Sequence, residues 1–277
     1  MGLTKGPSWG WFSFSVDLLI LGGLGILSLF IAHELRTRFP LVDLSLFRIR
    51  EFAAAQMAGL FATLAFASLF FLLPFYWQGL RGYSAQETGL LMLPVPLILM
   101  IVAPLSGKAS DRLGSRGLAT TGMLLIMAGL LMVSQVSETM SVAQVLGRLL
   151  VFGVGFGLFI APNNNSVMSS VPPHQRGVAG GLLGMFRYLG QALGVAFAGA
   201  LFSFLVAGAS GDGMNLLSLL SSGNSLTSGA LSESHTAFIR GMRGVTLAGA
   251  LFAGIGVVLS LLRGRSPSTG EIPSRSV

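Results

Sequence analysis

The chain has 277 residues, of which 52% are hydrophobic and only 10% are Asp, Glu, Lys or Arg, with a formal charge of +7. A soluble globular protein carries roughly 25% charged residues, so this composition excludes an ordinary water-soluble domain. Cysteine is absent, which removes disulfides and thiolate metal sites.

The apolar residues fall into runs that predict about seven transmembrane spans, at residues 15–34, 52–78, 86–106, 118–136, 142–163, 179–206 and 240–262. Each run approaches or exceeds the ~20 residues that a helix needs to cross hydrocarbon. A soluble all-helical protein would need an outer layer of amphipathic helices around such runs, and the connecting segments are too short to supply one. The alternation of a membrane barrel is missing, and a lone strand in lipid would leave its backbone groups unpaired. The predicted fold is therefore an all-α integral membrane protein, with the lipid bilayer as its first partner.

Ahead of the first span, Met1 to Trp11 does not read as a signal peptide, and Trp9 and Trp11 suit an interfacial aromatic belt. Residues 1–50 are expected to hold the first helix and a basic cytoplasmic loop, 51–265 six further helices, and 266–277 a disordered tail. The stretch 208–234, rich in Gly, Ser and Asn, reads as a flexible loop, with Leu216, Leu217, Leu219 and Leu220 as a candidate surface helix.

Charge sets the expected orientation. One set of inter-span segments holds Arg36, Arg38, Arg48, Arg50, Lys108, Arg112, Arg116, Arg176, Arg263, Arg265 and Arg275, whereas the other holds Lys5, Arg81, Arg240 and Arg243. The richer side is cytoplasmic by the positive-inside rule, which places the N-terminus outside and the C-terminus in the cytoplasm. Basic residues confined to short turns are topology signals, so no nucleic-acid partner is predicted.

Few polar groups lie within the spans. No acidic residue falls in the middle of one, so no group suited to carry protons is evident. Arg148 and Arg187 do lie within spans, where a charge at the centre costs about 2.5–3.5 kcal/mol on insertion scales. Arg148 is expected to snorkel to an interface, and Arg187 to face the bundle interior, lining a cavity or tying helices together through carbonyls. Gln191 lies one turn beyond Arg187. Asn163, Asn164 and Asn165 follow Pro162 and read first as a helix terminator, with substrate contact as the alternative. Gly153 with Gly157, Gly180 with Gly184, and Gly190 with Gly194 are each four residues apart and predict close helix packing. Neither a metal site nor a nucleophile, base and oxyanion set can be assembled, so no cofactor and no enzyme activity are expected.

The segment Gly107-Lys108-Ala109-Ser110-Asp111-Arg112-Leu113-Gly114-Ser115-Arg116 joins the third and fourth spans. It resembles the G-x-x-x-D-R-x-G-x-[RK] loop of the major facilitator superfamily. Gly107 and Gly114 would permit a tight reversal, and Asp111 could accept hydrogen bonds near a helix start. Pro40 to Leu44 with Phe47-Arg48, Leu73 to Tyr76, Gly82 to Ala85, Gly155, Pro172-Pro173, Arg176-Gly177 and the group Arg187, Gly190, Gln191 and Gly194 are similar to one subfamily, the 14-span drug:proton antiporters. The resemblance implies a C-terminal half of a proton-coupled multidrug exporter, with residues 1–50 as a linker helix and its cytoplasmic loop, 51–265 as the six-helix C-terminal transporter domain, amphipathic organic substrates, and a loop latch at Asp111 and Arg112. It also implies a missing N-terminal half that carries the proton-coupling carboxylates, leaving this chain unable to transport alone. The alternative is a non-transporting assembly partner, or a half-transporter that pairs with another subunit.

Overall fold

The computed structural model describes residues 44–137, 139–210 and 228–263, together with 22, 25 and 29. The expected first span at 15–34, most of the expected loop between residues 211 and 227, and the tail lie outside the described residues. Seven α-helices follow one another among residues 44–263 as described: α1 (Arg50–Pro74), α2 (Ala85–Met92), α3 (Pro94–Leu113), α4 (Ser115–Val133), α5 (Val142–Ser169), α6 (Arg176–Ser210) and α7 (Ser228–Leu261). Among the described residues, six stretches are long and apolar enough to cross a membrane: Arg50–Leu80, Ala85–Leu113, Ser115–Val133, Val142–Ser169, Pro173–Val206 and His235–Leu261. The chain is an all-α membrane bundle.

Local chemistry sets several helix ends. Pro74 closes α1 and leads into a π-helical turn, Phe75–Leu80, because a proline lacks the N–H that the regular ladder needs there. Ser84 caps α2 by accepting from the Glu87 amide at 3.2 Å, while the Ser84 amide donates to the Glu87 carboxylate at 2.9 Å. Ser141 and Gln144 form the same reciprocal box at the start of α5. Glu87 near a span end is thus a helix-capping group. At the far end of α5, the helix runs through Pro162 and Asn163 to Asn165 and stops only after Ser169. The expected termination at Pro162 is wrong, because ending a helix inside the bundle would strand backbone carbonyls away from water. Likewise α6 continues to Ser210 and α7 begins at Ser228, so both ends of the expected loop 208–234 are helical.

α5 is the centre of one seam. It packs against α4 and α3, while α1 packs against α6 and α7, and α7 closes the ring against α4. Their shared core holds Tyr76, Trp77, Met123, Ile126, Phe152, Phe156 and Phe159. The span containing α2 and α3 is the least buried, leaving Leu97, Met100, Ile101 and Leu105 exposed. In water that row would be a large apolar patch; facing lipid or another helix bundle, it carries no such cost.

Candidate substrate cleft and its supports

Glycine brings the helices close enough to build a site. A Cβ placed on Gly122 of α4 would lie 2.6 Å from the Phe159 amide nitrogen and 2.8 Å from the Gly155 carbonyl oxygen. Gly155 faces α4 in turn, against the backbone of Leu125 and Ile126, whereas Gly153 and Gly157 face Val95, Ile98 and Val102 of α3. Gly190 meets Thr63 and the Leu60 carbonyl of α1, and Gly194 meets the Leu64 carbonyl and Ala67. Two hydroxyls stitch these contacts: Ser68 Oγ donates to the Gly194 carbonyl at 3.0 Å, and Ser106 Oγ to the Gly157 carbonyl at 2.9 Å. Gly180 and Gly184 differ from the expectation. Gly180 touches only the end of Met168, and a Cβ on Gly184 would meet no described atom within 4 Å. The face of α6 that bears Gly184 points away from the bundle, beside exposed Met185, Tyr188 and Leu189, while Ala179 and Leu182 on the same stretch are buried.

Between α1, α5 and α6 lies a shallow cleft, open on one side, with an enclosed volume of about 20 Å³, and its lining includes Gln56, Thr63, Asn163, Asn164 and Arg187. The structure therefore joins Arg187, Asn163 and Asn164, which the sequence singled out separately, and adds Gln56. Gln191 is not among the cleft residues. Arg187 is exposed three turns into α6, with its Cζ 5.2 Å from the centroid of the Tyr188 ring. Phe159 and Phe186 provide the aromatic part of the wall.

Asn163 is held from behind. Its Oδ1 accepts a hydrogen bond from Arg263, whose guanidinium is 1% exposed and stands 5.9 Å from the centroid of the Phe159 ring. Arg263 is thus not the solvated turn residue that its position suggested. Burial lowers its pKa to about 10, with the negative charge of Glu51 opposing the shift, so it stays charged at neutral pH. Glu51, in the first turn of α1, accepts from Ser166 Oγ at 2.9 Å. One polar chain therefore links α1, α5 and the end of α7 beneath the cleft.

The other two arginines act on helix ends. Arg148 is half-buried and donates to the Met132 carbonyl at 2.8 Å, at the C-terminal turn of α4. Arg116, in the first turn of α4, donates to the Leu261 carbonyl at the end of α7. Both place a cation on a carbonyl at the negative end of a helix dipole. In the loop motif, Gly114 forms a one-residue reversal with φ 84° and donates its N–H to the Ser110 carbonyl at 2.9 Å. Gly107 takes no part in that reversal, because it lies inside α3 against Ala161. Asp111 and Arg112 are exposed in the last turn of α3, not at a helix start, and the inter-helix tie of this loop runs through Arg116.

The family model described as Major Facilitator Superfamily matches residues 3–195. The chain belongs to the major facilitator superfamily. Among superfamily proteins, the riboflavin transporter RibZ of Clostridioides difficile is 31% identical over 185 residues, covering 65% of this chain and 41% of that protein. The multidrug resistance protein Stp of Mycobacterium tuberculosis is 32% identical over 201 residues, 73% of this chain and 37% of that protein. The quinolone resistance protein NorB of Staphylococcus aureus is 29% identical over 205 residues, 73% of this chain and 44% of that protein. The chain thus spans about half or less of the length of these curated relatives. The fold agrees with a crystal structure of a bacterial homologue of the human lysosomal transporter Spinster, with a TM-score of 0.62 at 16% identity, over 91% of this chain and 60% of that one. The chain is thus part of a multi-span membrane protein of this superfamily, and its relatives include proteins named for multidrug and quinolone resistance.

Proposed function

We propose that the chain supplies one six-helix wall of the substrate pathway in a proton-coupled exporter of hydrophobic or amphipathic organic compounds. The carrying observation is the cleft between α1, α5 and α6, which gathers Gln56, Asn163, Asn164 and Arg187 in an otherwise apolar bundle. A charge inside a membrane bundle is costly, and it is retained where it faces a cavity or a ligand. Relatives whose names state multidrug or quinolone resistance support export of such compounds, and the riboflavin transporter widens the chemistry a similar wall accepts.

Transport in this reading needs a second wall. Rocking of two bundles about a central site leaves the binding groups alternately open to each side of the membrane, and a single bundle has nothing to rock against. The exposed rows on α3 and α6 suit contact with such a partner, whether it is joined in one polypeptide or separate. Proton coupling belongs to the second wall, because the cleft lining here includes no carboxylate. The end bearing Asp111, Arg112 and Arg116 faces the cytoplasm of a bacterial inner membrane, by the asymmetry of Lys and Arg. There the loop latches the bundle, with Gly114 turning the chain and Arg116 holding α7.

Dye efflux from proteoliposomes under an imposed pH gradient tests this reading. A fluorescent amphipathic dye is expected to leave vesicles that hold this chain together with a second six-helix half, and to stay in vesicles that hold this chain alone. Gradient-driven efflux by this chain alone, at the rate of the pair, would refute the need for a second wall.

A further inference from the structure

The cleft is a donor surface. Gln56 is 2% exposed, lines the cleft, and has no hydrogen-bond partner for its Nε2. Asn163 is 4% exposed, and its orientation is fixed: with Oδ1 occupied by Arg263, its amide nitrogen turns the other way, lying 3.1 Å from where a Cβ on Gly59 would stand. Gly59 itself lines the cleft, so this NH₂ is presented to it. Thr63 Oγ1 already donates to the Gly59 carbonyl at 2.9 Å. Arg187 contributes the one formal charge of the lining, and no Asp or Glu is among the lining residues to neutralise it.

A buried amide N–H without a partner is costly unless something supplies an acceptor. The guanidinium of Arg187, exposed at the rim of the same cleft, favours an acceptor that is also charged, and the planar fork of Arg matches the two oxygens of a carboxylate. We infer that this cleft binds the acid group of an amphipathic organic anion, with Arg187 as the ion partner and Gln56 Nε2 and Asn163 Nδ2 as hydrogen-bond donors. Phe159 and Phe186 take the apolar body of the same molecule. Gly59 keeps the floor free, since a side chain there would press on the Asn163 amide. This deepens the proposed function by naming the substrate class of the same site, and it rests on that reading of the cleft.

The test is equilibrium binding in nanodiscs without any gradient, on this chain alone and on its assembly with a second half, so that it does not depend on transport. The probes are dansylglycine, its neutral methyl ester, and a dansyl derivative bearing a quaternary ammonium. The acid is expected to bind at least about tenfold more tightly than the ester, and the cation not to bind. Arg187→Gln should erase the preference for the acid by lowering acid affinity far more than ester affinity, and Arg187→Lys should keep part of it. Gln56→Leu should lower affinity for the acid more than for the ester. Nanodiscs of phosphatidylcholine, with and without phosphatidylglycerol, separate two sources of acid oxygen: competition by the anionic lipid against dansylglycine alone supports the anion site and adds lipid phosphate as an occupant. Equal affinity for acid and ester, preference for the cation, no saturable binding of the acid in either preparation, or an acid preference that survives Arg187→Gln would each overturn the inference. Failure here with intact pair-dependent efflux would leave the proposed function standing; the reverse would remove the transport reading alone.

Discussion

Leucine at Gly122 is expected to lower the stability of the bundle by about 3 kcal/mol, the upper part of the usual range for overpacking a close-fitted interior. The site leaves no room for relief. A Cβ there meets the Phe159 amide nitrogen at 2.6 Å, the Gly155 carbonyl at 2.8 Å and the Phe159 Cα at 2.9 Å, all of them backbone atoms that cannot swing aside. α4 and α5 would have to separate along their length, which also exposes the contact of Gly129 with Phe152. Leucine at Gly117, where a Cβ would meet no described atom within 4 Å, is expected to change stability by less than about 0.5 kcal/mol. Unfolding by denaturant in mixed micelles reads both variants, and similar losses at the two positions would contradict the packing account.

The same replacement at Gly194 should be as costly and should also disable the cleft. Its Cβ would fall 2.4 Å from the Leu64 carbonyl oxygen, and the Gly194 carbonyl is the acceptor for Ser68, so both the approach and the hydrogen bond fail together. Since α1 carries Gln56 and α6 carries Arg187, parting these helices moves two walls of the site. The expected result is a loss of about 3 kcal/mol in the same assay with ligand binding abolished. At Gly184, on the outward face of α6, the bundle should accept leucine without loss of stability. A stable Gly194→Leu protein that binds ligand normally would show that the α1–α6 contact does not shape the site.

Much of this architecture was legible in the residues. The apolar runs marked the six spans because the thickness of hydrocarbon fixes helix length, whatever the tertiary contacts. Gly153 with Gly157, and Gly190 with Gly194, gave away two packing faces because their spacing repeats on one side of a helix. Gly122 left no such trace, since its partners Gly155 and Phe159 are more than thirty residues away and pair with it only across the seam. Gly184 had the right spacing and no partner, because spacing reports a face and not what covers it.

The polar residues were harder. Asn163 beside Pro162 looked like a helix stop, yet its amide is held by Arg263, one hundred residues later in a segment that looked like a plain basic turn. Only the fold joins them. Gln56 could have been noticed, as a lone amide in the long apolar run after Phe52, where a polar side chain must find a partner or a cavity. Ser84 with Glu87, and Ser141 with Gln144, carried the spacing of a capping box in plain view. Arg148, expected to snorkel, reaches the Met132 carbonyl at the end of α4, a partner that depends on where a neighbouring helix stops.

The central claim is that the α1–α5–α6 cleft is the substrate face of a membrane bundle, and cysteine accessibility tests it directly in a chain with no native cysteine. Leu183 lines the cleft, whereas Leu251 on α7 is 68% exposed on an apolar flank. In the assembled transporter, a small membrane-impermeant methanethiosulfonate is predicted to modify Leu183→Cys, to be slowed by bound substrate, and to leave Leu251→Cys unmodified. Modification of Leu251→Cys but not Leu183→Cys, or a rate at Leu183→Cys that substrate does not alter, would contradict the account.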